Sequence, residues 1–159
     1  MDLDLILKGG RVIDGSGGPP FLADVGVLDT CVAAVGRLDG VSAARTIDVS
    51  GHFVTPGFID AHVHGDLMLL ADPIHLPALK QGVTTYIIGQ DGESFAPGKP
   101  ETIEYMRRYT AGFNGNPSEV ETTWHDVDSY LRRFDRQTAI NVAYLIPNGN
   151  VRLDVIGHS

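Results

Sequence analysis

At 159 residues, with 43% hydrophobic and 20% charged residues, the chain has the composition of a globular protein with one sizeable core. Its formal net charge of −8 argues against a nucleic-acid partner or an anionic membrane surface, since both require a basic face. No window approaches about 18 uninterrupted apolar residues, and MDLDLILKGG lacks the pattern of a signal peptide, so no membrane partner is expected and the cytoplasm is the default location. The single cysteine, Cys31, excludes an internal disulfide; within VLDTCVAAVG it is expected to be a small buried hydrophobe.

Residues 1–55 read as strands. Leu3, Leu5 and Leu7 alternate onto one face, GGRVIDGSGGPP supplies a Gly-rich turn and a Pro break, and Val25 with Val27, residues 31–35 and residues 46–54 give three further alternating pieces. From Pro56 the pattern changes. Residues 57–62 form a nearly continuous apolar run, the kind of strand buried on both faces of a parallel sheet. A short helix is predicted over 76–81, with Pro77 in its first turn and Gly82 as its C-cap, followed by a second strand over 83–88 (VTTYII). Residues 89–100 read as loop. Helices are predicted over 101–109 and 123–134, the latter with Thr123 as N-cap, Asp126 at N3, and Val127, Tyr130, Leu131 and Phe134 on the buried face. Residues 138–146 (TAINVAYLI) complete a third buried strand. Strands alternating with helices in this way imply an α/β fold with a parallel sheet.

The segment GFIDAHVHGD places His62 and His64 one residue apart at the end of the first of these strands. On a strand, alternate side chains share a face about 7 Å apart, so two imidazoles there can close on one ion. A catalytic zinc takes three protein ligands and keeps an open position, and Asp91, in IIGQDGES at the end of the next strand, is the candidate third ligand. Asp60 and Asp66 are weaker candidates, as ligands or as supports for the ligands. His52, His75, His125 and His158 lack such a context and read as ordinary polar residues.

These motifs carry a resemblance. VTPGFIDAHVHGD resembles the first barrel strand of the amidohydrolase superfamily, and TIDVSGHFVTPGFID resembles the small β-sandwich that precedes it. LKQGVTTYIIGQDGESFAP and TAINVAYLIPNGNVRLDVIG resemble the N-acyl-D-amino-acid deacylase (D-aminoacylase) branch, and the resemblance extends over nearly the whole chain. It implies part of a β-sandwich over residues 1–55, then the first three βα units of a TIM-like (β/α)8 barrel over 56–159. It further implies zinc-dependent hydrolysis of an N-acyl amide, with one or two Zn2+ ions in the complete enzyme, and a small-molecule N-acyl amino acid as substrate; an oligomer is compatible with it. His62 and His64 match the paired metal ligands of the superfamily. Asp91 stands where the deacylases often carry a metal-binding cysteine in a GNCG-type stretch. Where they commonly read GHGTLR, this chain reads PNGNVR, so that Asn148 replaces the histidine while Gly149 and Arg152 are retained; Arg152 reads either as a bidentate clamp for a substrate carboxylate or, equally, as a surface arginine.

A (β/α)8 barrel takes about 250 residues, whereas residues 57–159 have room for three strands. The chain is therefore expected to be an N-terminal portion or a truncated gene product, without the later ligands and general base that the resemblance implies, and inactive by itself. A hydantoinase- or dihydroorotase-like activity on cyclic amides is the alternative within the same class. A non-catalytic binding or assembly module is the alternative outside it.

Overall fold

The computed structural model describes residues 2–157. It divides into two compact units between Pro56 and Gly57.

The first unit is built from strands alone: β1 (Leu3–Val12), β2 (Phe21–Leu28), β3 (Cys31–Gly36), β4 (Ala43–Asp48) and the short β5 (Phe53–Val54). They form one sheet in the order β3-β2-β1-β4, with β5 also paired to β1; β2 lies antiparallel to β1, while β4 and β5 run parallel to it. The register of β1 against β2 slips between Leu7 and Gly10. Asp24 stabilises this irregularity by accepting hydrogen bonds from Gly9 N at 2.8 Å and Leu38 N at 3.1 Å, and these bonds hold its carboxyl below the usual carboxylate range. The alternation expected from Leu3, Leu5 and Leu7 is only partly kept, because Ile6 is as buried as Leu3. The strand expected over 46–54 is two strands, broken where Asp48 accepts from Ser50 N in a local turn. Cys31 is exposed, contrary to expectation, because it opens β3, which pairs only with β2 and has a free edge among the described residues.

The second unit is α/β. Strands β6 (Phe58–Asp60), β7 (Val83–Ile88) and β8 (Asn141–Tyr144) form a parallel sheet in that order. Between β6 and β7 lie α1 (Asp66–Ala71) and α2 (Leu76–Leu79). Between β7 and β8 lie a 3-10 turn (Gln90–Gly92), α3 (Pro100–Tyr109), α4 (Ala111–Asn114) and α5 (Val127–Leu131), and α6 (Asn148–Ile156) follows β8. The core joins Leu67 and Leu69 of α1, Tyr86 and Ile88 of β7, Ile103 and Met106 of α3, Tyr130 of α5, and Phe95, Trp124 and Ile140 from the connections.

Several expectations change here. The strands are shorter than the apolar runs and less buried than expected: Phe58 and Ile59, on opposite faces of β6, are both exposed, as are Leu145 and Ile146 just beyond β8. β6 stops at Asp60 because that carboxylate accepts from His62 N at 3.1 Å, turning the chain out of the ladder. Helices α1 and α6 were not expected. The α5 helix starts at Val127 rather than after Thr123, because Asp126 is the N-cap: its carboxylate accepts from Ser129 N at 2.7 Å, and Asp126 N donates to Ser129 Oγ at 3.3 Å. Gly82 has the positive φ expected of a helix stop, although α2 itself ends two residues before Lys80's successor, at Leu79. His158 lies outside the described residues.

Candidate metal centre

Because β6 ends early, His62 and His64 do not alternate along a strand; both sit on the connection between β6 and α1. Their rings nevertheless converge, with centroids 5.5 Å apart and planes at 70°. Nε2 of His62 lies 3.2 Å and Nε2 of His64 3.0 Å from the same oxygen, Oδ2 of Asp91. Asp91 reaches them from the turn after β7 in a left-handed conformation (φ 57, ψ 15), which a short polar side chain tolerates better than most. Gly89 before it is also left-handed (φ 81) and packs so closely on the Leu145 carbonyl that a Cβ there would collide with it.

The three donors differ in access. The side chains of His62 and Asp91 are 61% and 57% exposed, whereas that of His64 is 22% exposed and meets the Phe113 ring edge-on at 4.9 Å. The hydrogen bond with His64 and the nearby His62 hold the Asp91 carboxyl below its ordinary pKa, so it stands ready as an anion. One potential ligand atom from each residue lies within 4.8 Å of the other two. Ligands about 2.1 Å from a tetrahedral zinc stand about 3.4 Å apart, so the separations from Asp91 suit a shared ion, and two imidazoles with one carboxylate are a donor set that zinc accepts.

The other candidates take different places. Asp60 holds the His62 backbone. Asp66, at the start of α1, is buried, and its Oδ1 accepts from Ser94 Oγ and, at 3.5 Å, from the Tyr130 hydroxyl. Burial pushes its carboxyl up to about 6, against the lowering effect of the Ser94 bond. Asn148 opens α6, with its backbone close to Gly92, while Arg152 lies exposed one turn further along. His75 packs edge-on against Tyr86, His52 is bonded to the Ser50 carbonyl, and His125 sits beside Asp126.

Sequence reasoning missed the residues that hold the loops. The buried Gln90 amide donates to Ala61 O at 2.8 Å and to Ile87 O at 2.7 Å. The fully buried Asn150 donates to Ser94 O at 2.8 Å and accepts from Ser94 N at 3.2 Å, bracing the segment beyond Asp91. An asparagine inside a helix is locally unfavourable, and that was the one available signal for Asn150. Gln90 gave none.

The model of the amidohydrolase family matches residues 45–159. The chain belongs to that family. Among curated amidohydrolase relatives, N-acyl-D-glutamate deacylase of Alcaligenes xylosoxydans xylosoxydans is 37% identical over 158 residues, covering 95% of this chain and 30% of that protein. D-aminoacylase of the same organism is 48% identical over 94 residues, covering 59% of this chain and 19% of that protein. Among solved structures, N-acyl-D-glutamate deacylase of Bordetella bronchiseptica, complexed with zinc and a phosphonate mimic of the tetrahedral intermediate, superposes with a TM-score of 0.81 at 35% identity. That match covers 99% of this chain and 32% of the other. This amidohydrolase chain thus spans about a third or less of the length of these relatives.

Proposed function

We propose that this chain contributes a zinc-binding half-site to an amidohydrolase that cleaves the amide of N-acyl-D-amino acids. The observation that carries the reading is the convergence of His62, His64 and Asp91 on one point. It is supported by the identity to N-acyl-D-amino-acid deacylases over nearly the full chain, which favours linear N-acyl substrates over the cyclic amides of a hydantoinase or dihydroorotase. In the same reading, residues 56–159 supply the first three βα units of a (β/α)8 barrel, residues 1–55 supply part of a β-sandwich, and the setting is the cytoplasm. The parallel order β6-β7-β8 with intervening helices supports the barrel assignment.

His62 and His64 would each offer an imidazole lone pair and Asp91 an already ionised oxygen. Zinc held by them supplies Lewis-acid polarisation of an amide carbonyl and lowers the pKa of water towards neutrality. Asn148 and Arg152 lie four residues apart on one face of α6, whose first residue abuts the turn carrying Asp91; this placement supports Arg152 as the partner of a substrate carboxylate.

Zinc stoichiometry and affinity of the 159-residue protein test the proposal, with His62→Ala, His64→Ala and Asp91→Ala as comparisons. The expected result is zinc bound by the wild type and at least tenfold weaker binding in each variant. Equal affinity in all four proteins would overturn the site. Zinc bound without hydrolysis of N-acetyl-D-glutamate by this chain fits the half-site. Hydrolysis that His64→Ala leaves intact would refute the assignment of roles.

A further inference from the structure

We infer that Gln90 is a positioning residue, stapling the connection that carries His62 to the turn that carries Asp91. The inference rests on the metal-site reading above and extends it to a residue that is not itself a donor in the cluster. The ladder between β6 and β7 ends with Asp60 opposite Tyr86, so Ala61 opposite Ile87 would be the next pair. The turn made by Asp60 and His62 takes the chain out of the sheet at that point. The two hydrogens of the Gln90 side-chain amide fill the gap: one goes to Ala61 O at 2.8 Å and the other to Ile87 O at 2.7 Å.

Each end of this bridge is one residue from a member of the donor cluster. Ala61 precedes His62, and Gln90 precedes Asp91. Gln90 is only 7% exposed, so its amide has little water to bond instead, and withdrawing it would leave two carbonyls without that donor. Apart from the ladder, His62 is held at its backbone by Asp60 and at its exposed ring by the Asp91 oxygen, contacts at the surface that Gln90 backs from the interior. The span between the two arms of the site is therefore fixed by a side chain buried beneath it, as outer partners commonly fix metal ligands.

The test uses the full 159-residue chain and two variants. Gln90→Glu keeps the shape but removes the donor, and Gln90→Asn keeps the donor but falls one methylene short. After chelation of adventitious metal, backbone amide resonances of residues 61–64 and 91–93 are compared by NMR; cobalt(II) is then titrated as the probe and its visible band gives the dissociation constant. Expected are shifted resonances in both segments and cobalt binding about 10–100-fold weaker, in variants that keep the wild-type circular dichroism. Unmoved resonances over 61–64 would overturn the staple. So would a lowered Tm with cobalt affinity within twofold of wild type, since that is the behaviour of a merely structural residue. If wild type takes up no cobalt while residues 61–64 still respond to both substitutions, the staple stands and the metal-site reading falls.

Discussion

Asp66 shows how a residue two positions from a proposed ligand can matter without joining it. Its side chain is 1% exposed, and burial raises its carboxyl from 3.8 to about 6, a difference worth about 3 kcal/mol. Since the folded state holds the proton more tightly than the unfolded one, the stability it contributes is full below about pH 4 and is lost as pH rises through 6. Urea denaturation of the metal-free protein should show this loss between pH 4 and 7, and Asp66→Asn should flatten the slope. Gly89→Ala is expected to destabilise by more than the roughly 1 kcal/mol of a left-handed alanine, because the added carbon also meets the Leu145 carbonyl; chemical denaturation gives the difference. His62, His64 and Asp91 could be singled out from sequence because their chemistry is unusual at strand ends. Gln90 could not, because the partner that matters, Ala61 O, lies 29 residues away, and Asn150 offered only its unfavourable place inside a helix, its partner Ser94 lying 56 residues away.

At the scale of elements, β7 and α3 were legible from β-branched content and apolar spacing, whereas α1 and α6 were not. In α1, the run DLMLLA is too short for its periodicity to stand out, and Gly65 provides no side-chain cap. In α6, NGNVRLDVI begins with residues of low helix propensity, and the pairing of Asn150 with Ser94 supplies tertiary support that propensity cannot register. Helix α5 starts three residues later than Thr123 as N-cap implies, because Asp126, expected at N3, is itself a good capping residue. The structure uses Asp126 in a reciprocal box with Ser129, while Thr123 Oγ1 accepts from Arg133 instead. Asp126→Ala should therefore lower Tm by a few degrees, while Thr123→Ala should move it less; differential scanning calorimetry separates the two.

Across the whole molecule, the sheet of residues 57–159 has both edges open among the described residues, with Ile59 of β6 62% exposed and Ile146, two residues beyond β8, 63% exposed. Concentration-dependent association of the 159-residue chain is expected in sedimentation velocity, and Ile59→Ser with Ile146→Ser should reduce it. The α/β grammar was readable because strand and helix patterns alternate, but full burial of the strands was not delivered, because apolar content does not reveal what covers each face. The stretch beyond Asp91 has the sequence of a loop and lacks regular structure at residues 94–96, yet Ser94, Phe95 and Ala96 are completely buried. Asn150 grips Ser94, the Trp124 indole donates to Phe95 O at 2.7 Å, and the Tyr144 hydroxyl bonds with Ala96. A protease should therefore pass over residues 94–96 despite their lack of regular structure and nick the exposed Gly-rich tip around Ser16 first; foreign sequence should be accepted at that tip and rejected beside Phe95.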